Sequence, residues 1–270
     1  MRILLITVLL LITFLAPAQS NREKRTVSAF DMVTFRLPGT LYLKQGSTRS
    51  VEIEAPPGVL SKIETRVSAG RLIIEPRIND PKHYHEDFDY IKVYVTTIQL
   101  ESLHVTGSGK AVCEGKLDLE KIDLAVSGAG VATMEMKADS VLTNITGSGH
   151  LILKGEIFYC HNNINGSGKT DLDVSVDNKL HADISGSGEL NVNGKASKME
   201  LILAGSGKFN GFGFAVNEAS ISIAGSGHAD VTVSKTLNTE IHGSGAVNYK
   251  GNPEVTRKGS SKATISKVGD

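Results

Sequence analysis

Five side chains with amide or carboxylate heads, Asp171, Asn191, Asn210, Asp230 and Asn248, each lie five residues after the first glycine of a repeated Gly-Ser-Gly tripeptide. Polar side chains at a fixed interval make a flat outward row that can hydrogen-bond a glycan or hold a cation. Stacked Asn side chains also form amide ladders that stabilise a pile of strands. Outward neighbours add Lys169, Asp173, Glu189, Asn193, Lys208 and His228. Asp171 and Asp173 share one face of a strand, roughly 7 Å apart, near the separation of the two acids of an inverting glycosidase. No cleft-forming segment accompanies them. The candidate ligand-binding set is therefore Asp171, Asp173, Asn191, Asn210 and Asp230, and no catalytic residue is assigned.

The densest group of potential metal ligands is His83-Tyr84-His85-Glu86-Asp87-Phe88-Asp89. Two His at i, i+2 point to one side of a strand, with acids beside them. The run follows Asn79-Asp80-Pro81, which reads as a solvated turn, so His83, His85, Glu86 and Asp87 are weak candidates and no metal or cofactor is assigned. Asn163-Ile-Asn-Gly-Ser-Gly-Lys-Thr170 ends like a phosphate-binding loop, but Asn163 stands where that motif needs its first glycine. Leu172-Asp173-Val174 continues as strand rather than helix. There is no Gly-x-Ser-x-Gly nucleophile elbow and no calcium-binding nonapeptide.

These residues hang on a repeat. The first glycines of the Gly-Ser-Gly marks are Gly107, Gly147, Gly166, Gly186, Gly205, Gly225 and Gly243, with Gly128-Ala129-Gly130 filling one gap and Gly259-Ser260-Ser261 as a degenerate ninth. The period is near 19. Two residues before each mark stand Val105, Val126, Ile145, Ile164, Ile184, Leu203, Ile223 and Ile241. Further apolar rows lie six before, four after and six after, separated by polar positions. Period-2 alternation on both sides of a glycine corner means two short strands per repeat. One such repeat cannot bury its own apolar row, whereas stacked repeats can. The expected fold is all-β: a single-stranded, right-handed parallel β-helix, a β-solenoid with one coil per repeat. Eight coils at roughly 4.8 Å make a rod of about 38 Å. The serine at each corner is expected to hydrogen-bond backbone.

Four segments follow from this: 1–18 a signal peptide, 19–106 an irregular β region continuous with the solenoid, 107–260 the regular coils, and 261–270 a polar tail. Met1-Arg2, the apolar run Ile3 to Leu15, and Ala16-Pro17-Ala18 have the layout of a secretory leader cleaved between Ala18 and Gln19. No later segment is apolar enough to span a bilayer as a helix. The two cysteines, Cys113 and Cys160, fall on inward rows about two coils apart, roughly 10 Å along the axis, and read as small core residues rather than a disulfide. With 29 Lys+Arg against 29 Asp+Glu, no bulk field draws nucleic acid. With no Trp and 5% aromatics, there is no sugar-stacking platform.

Phe30-Asp31-Met32-Val33, Leu43-Lys44-Gln45-Gly46, Val51-Glu52-Ile53-Glu54-Ala55, Gly70-Arg71-Leu72-Ile73-Ile74 and Ile91-Lys92-Val93-Tyr94-Val95-Thr96, leading to Leu103-His104-Val105-Thr106-Gly107-Ser108-Gly109, resemble the head GIN domain family. That family comprises exported bacterial proteins, common in Bacteroidetes, described as auto-transporter adhesins and earlier as a domain of unknown function. The resemblance covers about residues 27–260. It implies a parallel β-helix and an exported, cell-envelope location: periplasm, cell surface or medium. It carries no established activity and no site residues.

The expected function is an exported, non-enzymatic β-solenoid of adhesin-like or structural role, binding a surface glycan or protein. A first alternative is a polysaccharide-active or polysaccharide-binding β-helix using the outward Asp and Asn row. A second is a homo-oligomeric assembly module, for which outward Val112, Val131 and Ile152 hint at an apolar stripe.

Overall fold

The computed structural model describes residues 21–77 and 90–269. The leader and the His83–Asp89 run lie outside the described residues. Nineteen strands and one short helix are described. The N-terminal part holds β1 (Asn21–Arg25), β2 (Met32–Phe35), β3 (Thr40–Gln45), β4 (Ser50–Ala55), α1 (Pro57–Leu60), β5 (Ile63–Ser68), β6 (Arg71–Pro76), β7 (Lys92–Thr97), β8 (Ser102–Gly107) and β9 (Lys110–Cys113). Next come the long strands β10 (Leu117–Gly128), β11 (Val131–Gly147), β12 (His150–Gly166), β13 (Lys169–Gly186), β14 (Glu189–Gly205), β15 (Lys208–Gly225) and β16 (His228–Gly243). The chain closes with β17 (Ala246–Lys250), β18 (Glu254–Gly259) and β19 (Thr264–Lys267).

From β10 to β16 each strand pairs in parallel with the next along nearly its whole length, glycine mark over glycine mark. The fold is thus the expected β-solenoid of stacked coils of about 19 residues. Within most coils the inward–outward alternation is interrupted part-way round. In β11, for example, Ala138 and Val141 both point inward with Asp139 and Ser140 outside between them. That break divides the coil into two faces. In several coils the register slips there, as between Ile157 and Tyr159.

The apolar rows are the core. Val105, Val126, Ile145, Ile164, Ile184, Leu203, Ile223 and Ile241 are each no more than 1% exposed, so one row stays dry through eight coils. The row six residues after each mark is buried in its middle and half-buried at its ends, Cys113 and Tyr249. The cysteines therefore differ. Cys160 is wholly buried, and desolvation pushes its thiol up to about 12. Cys113 is only half-buried, and its Sγ–H donates to the carbonyl of Gly115 at 2.9 Å. Both are free. Gly211 occupies the same inward row because the ring of Phe209 fills its space: a Cβ there would stand 2.3 Å from Phe209 Cε1. Phe209 and Phe214 are core, whereas Phe212 faces outward beneath the ammonium of Lys250 at 4.9 Å. A polar cluster is sealed in: Asn162 Nδ2 donates to the buried hydroxyls of Thr143 and Thr170, and its Oδ1 has no partner.

The Gly-Ser-Gly corners stack directly. The first glycine of each adopts positive φ, 108° at Gly186, and from Gly128 onward lies against its counterpart in the coil before. The bond at the serine is made by its main chain: Ser187 N–H donates to the Gly166 carbonyl at 2.9 Å, and the same bond recurs at Ser148, Ser167, Ser206, Ser226 and Ser244. The serine side chains themselves are exposed. A small side chain is tolerated at the corner tip, and the hydroxyl is not what joins the coils.

Upstream, β2 stacks in parallel on β8 and β3 on β9, while β6 and β7 extend the same two faces one layer further. The winding then gives way to antiparallel pairing. β5 runs against β6, β4 against β7, and β1 against β4. Antiparallel pairing lets short segments cover the last ladder edge without a full coil. At the other end β17 and β18 lie on β16, and β19, within the polar tail, lies on β17.

Candidate functional site: two polar faces of the solenoid

The register brings the outward row together. Val112, Thr133, Ile152, Asp171, Asn191, Asn210, Asp230 and Asn248 are successive pairing partners from β9 to β17. Asn191 Nδ2 donates to Asp171 Oδ1 at 2.7 Å, and Asn210 Nδ2 to Asn191 Oδ1 at 2.6 Å. Asn248 Nδ2 donates to Asp230 Oδ1 at 3.0 Å. The row is therefore two amide chains, each ending on an aspartate acceptor. Each aspartate also meets a histidine: His150 Nε2 lies 2.7 Å from Asp171 Oδ2, and His228 Nε2 lies 2.8 Å from Asp230 Oδ1. Lys169 Nζ adds a contact to Asp171 at 3.3 Å.

Asp173 projects into solvent on the same face and makes none of the row's bonds. Asp171 is partly desolvated, which raises its pKa. The hydrogen bonds from Asn191, His150 and Lys169 outweigh that and hold the carboxyl below its ordinary value. A carboxyl held ionised suits a ladder end and not a general acid, which needs a raised pKa. Because the folded-state value is depressed, Asp171 contributes stability above the unfolded carboxylate range, and this is lost as pH falls through the folded value. Asp171→Asn is expected to flatten the acid side of the stability profile, which urea midpoints between about pH 7 and about pH 3 will check.

The three apolar positions proposed as a stripe do not form one row. Val112 and Ile152 flank Thr133, while Val131 pairs with Lys110 and His150 in the neighbouring row. All are half-buried. Asn163–Thr170 forms the Gly166-Ser167-Gly168 corner between two strands, so no phosphate loop exists there.

The second face carries a group that the sequence reading did not single out. His161, His181 and Glu200 are successive partners five residues before their marks, and Asn163 pairs with Asp183 two residues further on. His161 Nε2 lies 2.8 Å and His181 Nε2 2.9 Å from the same oxygen, Asp183 Oδ2. The two rings meet edge to face with centroids 4.4 Å apart. His181 Nδ1 lies 3.2 Å from Glu200 Oε2, and that same oxygen is paired with Lys179. The hydrogen bond and charge of the Lys179 ammonium hold the Glu200 carboxyl below its ordinary value. Before this cluster runs a third amide chain, in which Asn163 Nδ2 donates to Asn144 Oδ1 at 3.0 Å and Asn144 Nδ2 to Asp123 Oδ1 at 3.2 Å. The signal was available: aligning the outward residues five and three before each mark places these side chains on adjacent rungs.

Two open grooves of about 640 and 670 Å³ lie elsewhere. One follows the irregular coil bends past Asp177, Lys195 and Asn217, and the other lies beside Arg71, Glu101 and Glu120. Neither is lined by Asp171, Asp173 or Asp230. Among the described residues no helix is long and apolar enough to cross a membrane.

Stacked coils with glycine corners and two amide-laddered faces define a non-globular repeat protein whose accessible chemistry lies on its sides. The chain belongs to the family described as "Putative auto-transporter adhesin, head GIN domain", which matches residues 29–173 and 160–253. Among solved structures it is similar to a "putative adhesin" from Parabacteroides distasonis ATCC 8503, at 19% identity, covering 93% of this chain and 98% of that one, with a TM-score of 0.73. A "Putative lipid binding protein" from the same strain is 21% identical, with coverage of 92% and 96% and a TM-score of 0.69. A "putative adhesin" from Parabacteroides merdae ATCC 43184 is 17% identical, with coverage of 93% and 96% and a TM-score of 0.66. At these identities the likeness is one of fold. No curated protein matches the chain.

Proposed function

We propose that the protein is exported and acts as an adhesin-like binding module, holding a surface polysaccharide on the polar face of its later coils without turning it over. The observation that carries this reading is the Asp171–Asn248 row. Its side chains are pinned in line by one another, so little conformational freedom remains to be lost when a ligand arrives. A periodic row suits a periodic polymer. Asn210 Oδ1 accepts none of the bonds within the row and is available to a ligand hydroxyl. The family description and the leader-like N-terminus support export. The depressed Asp171 carboxyl supports binding over hydrolysis.

The test is a glycan and polysaccharide array probed with the protein, with and without calcium, followed by assay of bound polymers for new reducing ends or unsaturated products. Binding with no product is the expected result. Product release would move Asp171 and Asp173 to catalytic candidates. Silence on every glycan, with a protein target or self-association found instead, would replace the polysaccharide reading by a protein-binding or assembly one.

A further inference from the structure

We propose that His161, His181 and Asp183 form a binding site for one borderline divalent transition-metal ion, with Zn²⁺ as the probe. Their ligand atoms, one from each side chain, all lie within 4.8 Å of one another. They come from adjacent rungs, His161 on β12 and His181 and Asp183 on β13. Tetrahedral zinc with bonds of about 2.0–2.1 Å sets its ligand atoms roughly 3.4 Å apart. The two Nε2–Oδ2 separations of 2.8 and 2.9 Å need to open by only about half an ångström to reach that value. Without an ion, each Nε2–H donates to the shared Asp183 oxygen. With one, each ring keeps a single proton on Nδ1, the Nε2 proton moving there in a neutral ring or passing to water from a protonated one, and the Nε2 lone pairs and the carboxylate face the metal.

Glu200 makes that exchange favourable at His181. Its Oε2 lies 3.2 Å from His181 Nδ1. A ring that donates Nδ1–H to a carboxylate keeps its remaining proton there and presents Nε2 bare, the arrangement common behind metal-bound histidines. Glu200 is itself held by Lys179, so the lysine's charge is answered away from Asp183. Two nitrogens and one oxygen favour Zn²⁺, Cu²⁺ or Ni²⁺ over Ca²⁺ or Mg²⁺, which take oxygen sets. The side chains of His161, His181 and Asp183 are 30%, 17% and 32% exposed. This leaves a fourth position open to water or to a donor from a partner. The other His–carboxylate contacts lack this composition. His150–Asp171 has one imidazole and a lysine on the same carboxylate, and His228–Asp230 has one imidazole and one carboxylate. The proposal does not rest on the polysaccharide reading, since the site lies on the other face of the coils.

The experiment is a competition titration of Zn²⁺ between tag-free protein and a chromophoric chelator. One equivalent is expected to bind. Asp183→Asn and His181→Gln should weaken it by more than about 100-fold, and Glu200→Gln by about 10-fold or more. His150→Gln should bind as the wild type does. A measurement on the wild type alone guards against variants that misfold: on adding Zn²⁺, the imidazole ¹⁵N resonances of His161 and His181 should shift while those of His150 and His228 stay. Absence of saturable binding, equal affinity in His181→Gln, or shifts at the wrong histidines would show that the cluster is a hydrogen-bonded ladder and overturn the proposal.

Discussion

Gly186→Val is expected to destabilise the protein by about 3–5 kcal/mol, while its neighbour Ser187→Ala should stay within about 0.5 kcal/mol. Gly186 has φ of 108°, where an L residue is strained, and a Cβ would stand 2.6 Å from the Gly166 carbonyl oxygen of the coil before. That oxygen accepts the Ser187 N–H, so relief of the clash would pull apart the bond that joins the corners. Ser187 contributes only this N–H, which Ala keeps. Since each coil touches only its neighbours, the damage should be local. Amides of β13 and β14 should exchange faster than those of β10. Urea midpoints for the two variants, with native-state hydrogen exchange, check both statements.

Phe209→Ala is expected to cost about 3–5 kcal/mol, and Gly211→Val a comparable amount through overpacking. The two should not add. Phe209 is 0% exposed and its ring occupies the space that Leu172, Val192 and Val231 fill in the coils around it. Gly211 is thus the other half of one packing decision. A valine at 211 collides with the ring, and an alanine at 209 leaves a void that the valine partly refills. The double variant should recover about 1–3 kcal/mol relative to the sum of the singles. Full additivity would mean that the two positions do not share a space.

The coil architecture was legible because its cause is one-dimensional. A glycine mark every 19 residues or so and apolar rows in phase with it are visible without any long-range information. The parallel register, the dry Val/Ile/Leu row and the amide row at Asp171–Asn248 all follow from that phase. The ends were harder to read. β1, β4 and β5 alternate as any strand does, and nothing in alternation distinguishes an antiparallel neighbour from a parallel one. The hydroxyl row at the corners suggested side-chain bonds, yet the main chain there already satisfies itself. Cys113 follows the inward phase but lies near the first coil's end, where the covering is incomplete. The His161–His181–Asp183 group is harder to read because His161 stands a whole coil before the other two, and the outward positions five and three before each mark vary in residue type from coil to coil. Asn162 is a different case: its row runs Leu124, Thr143, Asn162, Ala182, Leu201, and no pattern in the sequence marks an amide as buried.

The most direct test of the functional account compares two lysine substitutions on one coil, using the polysaccharide that the array selects. Asn210→Lys places a long cationic chain in the middle of the amide row, and Ser206→Lys places the same chain at an exposed corner. Both proteins should fold, as thermal midpoints will report. The account predicts that Asn210→Lys weakens binding by about tenfold or more, about 1.4 kcal/mol, while Ser206→Lys leaves it unchanged. Equal affinity in both variants would place the binding surface elsewhere on the molecule and contradict the assignment of the Asp171–Asn248 face.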